Sequence, residues 1–257
     1  MIDHLIATDI GGRGVQELYL KYKAIKPNYI DNATDILLSS KDVLIVADFP
    51  IPPLMIPETD GPPGALALAL ALDEVGKKAT ILTEDIIADA LKEFYSNIIT
   101  EIPKKEFSCL VSVETPGRAS DGKYYSFSGM EIRVSPYDEL FIKATVPTIG
   151  IGDGGNEIGM GNLNLKGKYY SIVKTTELIV AGVSNWGAYG LVANMSIREG
   201  VNLLRDYNEI EVVRALVSAG VIDGISKKRE VTVDGLPMSI HSRILDLLRE
   251  IVEFKIR

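Results

Sequence analysis

The stretch that most constrains the fold is residues 148–162, Thr-Ile-Gly-Ile-Gly-Asp-Gly-Gly-Asn-Glu-Ile-Gly-Met-Gly-Asn. Residues 146–151 are mostly apolar and β-branched, which predicts a buried strand. The loop that follows has five glycines within residues 152–161, and glycine is favoured where the backbone needs positive φ or approaches a ligand closely. The loop also carries Asp153, Asn156 and Glu157. We therefore interpret it as part of a functional site, with an elaborate structural turn as the alternative.

The order of the predicted elements indicates an α/β fold. Residues 43–47 and 78–83 read as strands, and the Ala/Leu run 65–72 between them reads as a helix despite its alternation. Alanine and leucine are strong helix formers, prolines precede the run, Gly76 ends it, and Thr59 or Asp60 is a candidate cap. A strand–helix–strand unit implies a parallel sheet with a right-handed crossover. We predict a mainly parallel sheet flanked by helices, with active-site loops at the carboxyl ends of the strands, in one domain over residues 1–257.

Similar patterns predict the remaining elements. Further helices are expected at residues 15–25, 29–38, 86–95, 136–144, 184–204, 209–219 and 238–254. Further strands are expected at residues 107–113, 169–173 and 177–183, and a hairpin at residues 124–134.

Composition excludes several classes of protein. A net charge of −8 argues against a nucleic-acid surface, which needs a basic stripe. The single cysteine, Cys109, excludes an internal disulfide, and the two histidines are too far apart in sequence to suggest a zinc site. The longest apolar run is too short to cross a bilayer, and the first residues do not resemble a signal peptide. We expect a cytoplasmic protein that binds a small molecule, without nucleic-acid or membrane partners. The sequence is compatible with a homo-oligomer.

The loops after the predicted strands are acidic. Residues 42–76 contain six carboxylates and no Lys or Arg, and residues 144–165 again contain no Lys or Arg. A phosphate cradle usually supplies a lysine, which is missing here. Oxygen ligands from several loops suit Mg²⁺, Mn²⁺ or Ca²⁺, but carboxylates can also bind a substrate ammonium, act as acid and base, or cap helices. The candidate metal ligands are Glu58, Asp60, Asp153 and Glu157.

Two arginines are candidates for substrate binding. Arg118, in the loop after residues 107–113, can hold a carboxylate bidentately, and the alternative is a pair with Asp121 or Glu114. Arg13 lies in a glycine-rich loop with Asp9, where capping and a surface ion pair are the alternative.

Four segments resemble the C-terminal domain of the D-glutamate cyclase family: Glu58-Thr-Asp-Gly-Pro-Pro-Gly-Ala65, Pro116-Gly-Arg-Ala119, residues 150–162 and Ala181-Gly-Val-Ser-Asn-Trp-Gly187. Residues 9–14 and 233–235 are also similar, so the resemblance covers nearly the whole chain, as a stand-alone version of that domain. Ala47-Asp-Phe-Pro50 stands where family members commonly have Thr-Gly-Phe-Pro.

The resemblance implies a lyase that converts D-glutamate to 5-oxo-D-proline and water, or the reverse, with Mg²⁺ or Mn²⁺ in an acidic pocket. Asp153 or Glu157 would be the base and Arg118 would orient the α-carboxylate. The remaining substrate-binding candidates are Arg13, Asn156, Asn162 and Asn185. Two alternatives stay open at this point: a metal-dependent hydrolase, for example of phosphoesters, and a non-catalytic module that binds a metal or small molecule.

Overall fold

A computed structural model describes residues 1–257, and its centre is a six-stranded sheet in which every pair of neighbours is parallel. The strands, in sheet order, are β10 (Glu177–Val180), β9 (Thr148–Gly152), β6 (Cys109–Val113), β1 (Asp42–Val46), β4 (Lys78–Leu82) and β5 (Ile98–Ile99). Parallel strands covered by helices on both faces are typically buried along their whole length, and every residue of β6, β9 and β10 is buried here. The predicted α/β class is confirmed.

Three small antiparallel hairpins lie outside this sheet, each forming a two-stranded sheet of its own. They are β2 (Pro50–Ile51) with β3 (Ile56–Pro57), β7 (Tyr124–Tyr125) with β8 (Glu131–Ile132), and β11 (Thr232–Val233) with β12 (Leu236–Pro237). The β7–β8 hairpin was predicted from sequence. The β2–β3 hairpin contributes to two cavities, as described below.

Nine α-helices flank the sheet, and none of them has the length and apolar content needed to cross a bilayer. They are α1 (Ile2–Ile6), α2 (Val15–Ile25), α3 (Tyr29–Ser39), α4 (Pro62–Glu74), α5 (Asp85–Leu91), α6 (Asp138–Ile142), α7 (Ser184–Glu199), α8 (Glu209–Ala219) and α9 (Met238–Ile256). A 3₁₀ turn covers Met160–Leu163. The short α1 and the two-residue β5 were missed by the sequence analysis.

The Ala/Leu run is helical, as predicted, and forms the middle of α4. Leu66, Leu68 and Leu72 are fully buried and only Leu70 is substantially exposed. A helix that is apolar nearly all round lies inside the core, which explains why its pattern lacks a polar face. Neither Thr59 nor Asp60 is the N-cap residue of α4, which is Gly61. The Gly64 amide in the first turn instead donates to the Oδ1 of Asn185.

The strand predicted at residues 169–173 is wrong. This segment is irregular and crosses the glycine-rich loop: the amide of Ser171 donates to the carbonyl of Gly155 at 3.0 Å, and the amides of Gly159 and Gly161 both donate to Val173. The edge of the sheet beyond β9 is already taken by β10. The aromatic and β-branched residues that suggested a strand instead close the loop.

Candidate functional site

The loops at the carboxyl ends of β1, β6, β9 and β10 meet above the sheet, because these four strands are neighbours. The loops after β1, β6 and β9 border a cavity of about 240 Å³, just below the usual range for ligand sites, about 300–1000 Å³. Its charged lining side chains are Arg13, Glu58, Glu114, Asp153, Glu157, Lys227 and Asp234. A cavity of this size and charge suits a small polar ligand.

Asp153 is at the centre of the acidic groups. It belongs to two sets of carboxylates, each with ligand atoms within 4.8 Å of one another. The sets are Asp60, Asp153 and Asp234, and Glu114, Asp153 and Glu157. All five residues are buried, so charge on any of them is poorly solvated. The structure therefore brings together Asp60, Asp153 and Glu157 from the predicted ligands, and Glu58 lines the same cavity.

One guanidinium enters this cluster. Arg13 donates hydrogen bonds to Asp153, to Asp234 at 2.7 Å and to the carbonyl of Gly182 at 3.0 Å. Burial lowers the pKa of Arg13, but Asp153 and Asp234 raise it more, so that its net pKa lies above the usual value and the group stays charged. Asp9 does not pair with the Arg13 side chain: it accepts the amides of Arg13 and Gly14 and shapes the loop.

The glycine-rich loop wraps around the Glu157 carboxylate, which accepts the amide of Gly154 at 2.6 Å and that of Gly155 at 2.8 Å. Gly155 has a φ of 97°, a backbone conformation that is strained for residues other than glycine. A Cβ on Gly154 would lie only 2.7 Å from the Asn156 Oδ1. These two glycines let the backbone donate directly to a carboxylate at the cavity.

Asp60 and Asn185 cap each other's helices. Asp60 accepts the amides of Ser184 at 2.8 Å and Asn185 at 2.9 Å, at the start of α7. In return, the Asn185 Oδ1 accepts the amides of Gly61 at 3.0 Å and Gly64 at 2.8 Å, at the start of α4. Helix N-terminal amides need such acceptors. Asp60 is thus held rigidly at the cluster, whereas the Asn185 side chain serves α4 and does not line the cavity.

Glu114 and Asp234 were not named as candidate ligands by the sequence analysis. Glu114 follows β6 directly and accepts the Ser184 hydroxyl at 2.5 Å, and Asp234 lies between β11 and β12. Both have positive φ values, 45° and 54°, and such strained residues cluster at functional sites. A carboxylate directly after a strand was the available signal for Glu114. For Asp234 the signal was the similarity of residues 233–235 to the family.

Burial is the largest cause of the pKa shifts in this cluster, and repulsion between carboxylates adds to it. The pKa of Asp153 is raised to about 7 and that of Asp60 to about 8. The pKa values of Glu58, Glu114 and Asp234 also lie well above the usual value. Without a bound cation, the cluster therefore retains protons at neutral pH, and a cation that binds there displaces them.

The residues fit a divalent metal ion. The donor set consists of oxygen atoms, which Mg²⁺ and Mn²⁺ prefer. Asn156 supplies an independent sign, since its Oδ1 is buried without a hydrogen-bond partner while its Nδ2 donates to the Tyr125 carbonyl at 2.9 Å. Buried polar atoms are rarely left unpaired, and a ligand in the cavity that Asn156 lines would satisfy this oxygen.

Besides Asn185, two further predicted site residues lie away from the cavity. Arg118 donates to both oxygens of Asp138, at 2.7 and 3.0 Å, and pairs with Glu139, rather than with Asp121 or Glu114. The Asn162 Nδ2 donates to the Thr175 carbonyl at 2.9 Å, and its Oδ1 accepts the Thr175 amide at 3.0 Å. Their roles in catalysis and substrate binding stay predictions.

Comparisons with known proteins agree with the resemblance. A family model described as D-glutamate cyclase-like, C-terminal, matches residues 2–249. The mitochondrial D-glutamate cyclase of Homo sapiens is 28% identical over 326 residues, a match that covers 98% of this chain and 51% of that protein. The chain thus spans about half the length of this relative.

Two solved structures match this chain at low sequence identity. An exopolyphosphatase-related protein from Bacteroides fragilis has a TM-score of 0.46 and 12% identity, covering 90% of this chain and 60% of its own. Exonuclease RecJ bound to manganese has a TM-score of 0.37 and 13% identity, in a match that covers 74% of this chain and 42% of the RecJ chain.

Proposed function

Because the chain belongs to the D-glutamate cyclase-like, C-terminal family, we propose that it is a lyase that interconverts D-glutamate with 5-oxo-D-proline and water. The proposal is supported by the human cyclase, whose similarity extends over 98% of this chain. The observation that carries it is the buried cluster of carboxylates around Arg13, which borders a cavity of suitable size and charge.

We further propose that Mg²⁺ or Mn²⁺ binds in this cluster. Asp60 and Asp234 would hold it, with Glu114, Glu157 and the Asn156 Oδ1 as the other available oxygen donors. Asp153, which belongs to both sets of carboxylates, would then be the base. When bound, a divalent ion supplies a Lewis acid that polarises a carboxyl or lactam oxygen.

The protein's own groups provide the proton transfers. In the cyclising direction the α-amine must be neutral before its nitrogen can attack the γ-carboxyl carbon. Asp153, whose pKa burial raises to about 7 in the metal-free protein, lines the cavity and is the candidate to accept the ammonium proton. The C–N bond then forms, the nitrogen loses a second proton, and a C–O bond of the γ-carboxyl breaks. The departing oxygen leaves as water with the two protons that the nitrogen has released, one of them by way of Asp153. In the reverse direction the same carboxylate takes a proton from the attacking water.

The α-carboxylate of the substrate requires a cation at the cavity. Arg13 is already paired with two carboxylates, whereas Lys227 lines the cavity, is exposed and forms no ion pair. Lys227 is therefore our candidate for this contact, beside the earlier prediction for Arg118. Glu157 is bound by two loop amides, which favours a positioning role over a role as the base.

The proposal is tested by incubating metal-loaded protein with D-glutamate and separately with 5-oxo-D-proline. Chiral chromatography should detect interconversion, L-glutamate should react more slowly, and Asp153→Asn should abolish turnover. Glu93→Gln is a matched control, because Glu93 is exposed and lies outside the cavity. Hydrolysis of phosphoesters without reaction of D-glutamate would instead support the hydrolase. Tight metal binding without either reaction would support a binding module.

A further inference from the structure

A second cavity lies on the other side of the β2–β3 hairpin and has a volume of about 590 Å³. Phe49 and Ile51 line the acidic cavity described above, whereas their neighbours Asp48 and Pro50 line this one. The function proposed above does not use this cavity.

Asp48 is the unusual residue of this second cavity. Its side chain follows β1, is only 2% exposed, and its Oδ1 is buried without a hydrogen-bond partner. A buried carboxylate oxygen without a donor is costly. Such an oxygen in the wall of a cavity is readily explained by a ligand that brings the donor.

The surroundings of Asp48 favour a cationic donor. Glu84 and Asp85 also line the cavity, and Glu84 accepts the Ser135 hydroxyl at 2.9 Å. Asp48 belongs to neither group of carboxylates whose oxygens converge closely enough to hold a metal ion. An ammonium group, with three N–H donors in a tetrahedral arrangement, needs no such convergence.

The opposite charge is also present in the cavity. Arg133 is exposed, lines the cavity and forms no ion pair within the chain. Its guanidinium fork matches a carboxylate. The same cavity is also lined by the apolar side chains of Met55, Ile56, Ile86 and Val134.

We propose that this second cavity binds an α-amino acid with an apolar side chain, its ammonium on Asp48 and its carboxylate on Arg133. The apolar side chain contacts Met55, Ile56 and Val134. The cavity is thus a ligand site separate from the acidic cluster, on the opposite face of the segment that leads into Glu58.

Binding of an amino acid at this cavity should be coupled to the release of a proton from Asp48. Burial, followed by repulsion from Glu84, raises the pKa of Asp48 to about 8, so the free protein carries this carboxyl mostly protonated at neutral pH. A bound ammonium favours the carboxylate, so binding at pH 7 releases a proton. The observed heat then depends on the ionisation enthalpy of the buffer.

Isothermal titration calorimetry with L-leucine and D-leucine as probes tests the proposal. At least one should bind, with proton release. Both 3-methylbutylamine, which lacks the carboxylate, and 4-methylpentanoate, which lacks the ammonium, should bind at least about tenfold more weakly. Asp48→Asn and Arg133→Gln should each weaken leucine binding to a similar extent, and Glu93→Gln should leave it unchanged.

Several outcomes would overturn the proposal. They are no binding of either leucine enantiomer, equal binding to wild type and Asp48→Asn, and equal binding of leucine and 3-methylbutylamine. If Asp48→Asn does not fold, Arg133→Gln decides, because Arg133 is exposed and its replacement disturbs no buried contact. The measurement follows binding and not turnover, so its result is independent of the cyclase reaction.

Discussion

Replacing Asp153 by asparagine should make the metal-free protein more stable at pH 8 than the wild type. Burial raises the pKa of Asp153 from 3.8 to about 7, against the opposing effect of Arg13. The stability that this group contributes is fully present below pH 3.8 and is lost as the pH rises through about 7. A pKa raised from 3.8 to about 7 corresponds to about 4 kcal/mol, since a tenfold change in an ionisation constant is about 1.36 kcal/mol. Because neighbouring carboxylates share protons, we expect about 2–4 kcal/mol.

The assay is urea unfolding in the presence of EDTA, from pH 4 to pH 8, for wild type, Asp153→Asn and Glu93→Gln. Wild type and Asp153→Asn should have similar free energies of unfolding at pH 4, since the neutral side chains are nearly isosteric. The wild type should then fall below the variant as the pH rises, and Glu93→Gln should follow the wild type. If the wild type is as stable as Asp153→Asn at pH 8, the ion pair with Arg13 outweighs burial and our reasoning is refuted.

Three further predictions follow from the same contacts. Mn²⁺ should raise the melting temperature, because it binds only the folded state, and the double substitution Asp153→Asn with Glu157→Gln should abolish this rise; an unchanged rise would place the metal elsewhere. Asp60→Ala should have a free energy of unfolding in urea about 1–3 kcal/mol lower than that of Asp60→Asn, because both variants remove the buried charge but only alanine leaves the amides of Ser184 and Asn185 without an acceptor; equal stability of the two variants would contradict the cap. Arg118→Gln should lower the melting temperature and leave KM for D-glutamate unchanged, since its guanidinium is already paired; a large rise in KM would restore its predicted role.

The elements that could be predicted from sequence are those whose signal is local. Helix α8 matches its predicted bounds, and α4 was identified from its alanines and leucines with the prolines before them and Gly76 after them. These signals are local, because helix propensity and periodicity act within one or two turns. The acidic edge of the sheet was also predictable. Parallel strands place their carboxyl ends side by side, so carboxylates that follow several strands must approach one another.

The sequence by itself therefore determined the α/β class and the acidic loops that contribute Asp153 and Glu157. Only the tertiary structure decided the partners of these side chains. Arg13 reaches Asp234 across 221 positions of the chain, and Asp60 caps α7 although it directly precedes α4. Such contacts depend on which loops the packed sheet brings together, and a charged side chain in an isolated segment carries no information about its distant partner. For the same reason the orphaned oxygen of Asp48 became visible only once its buried surroundings were known.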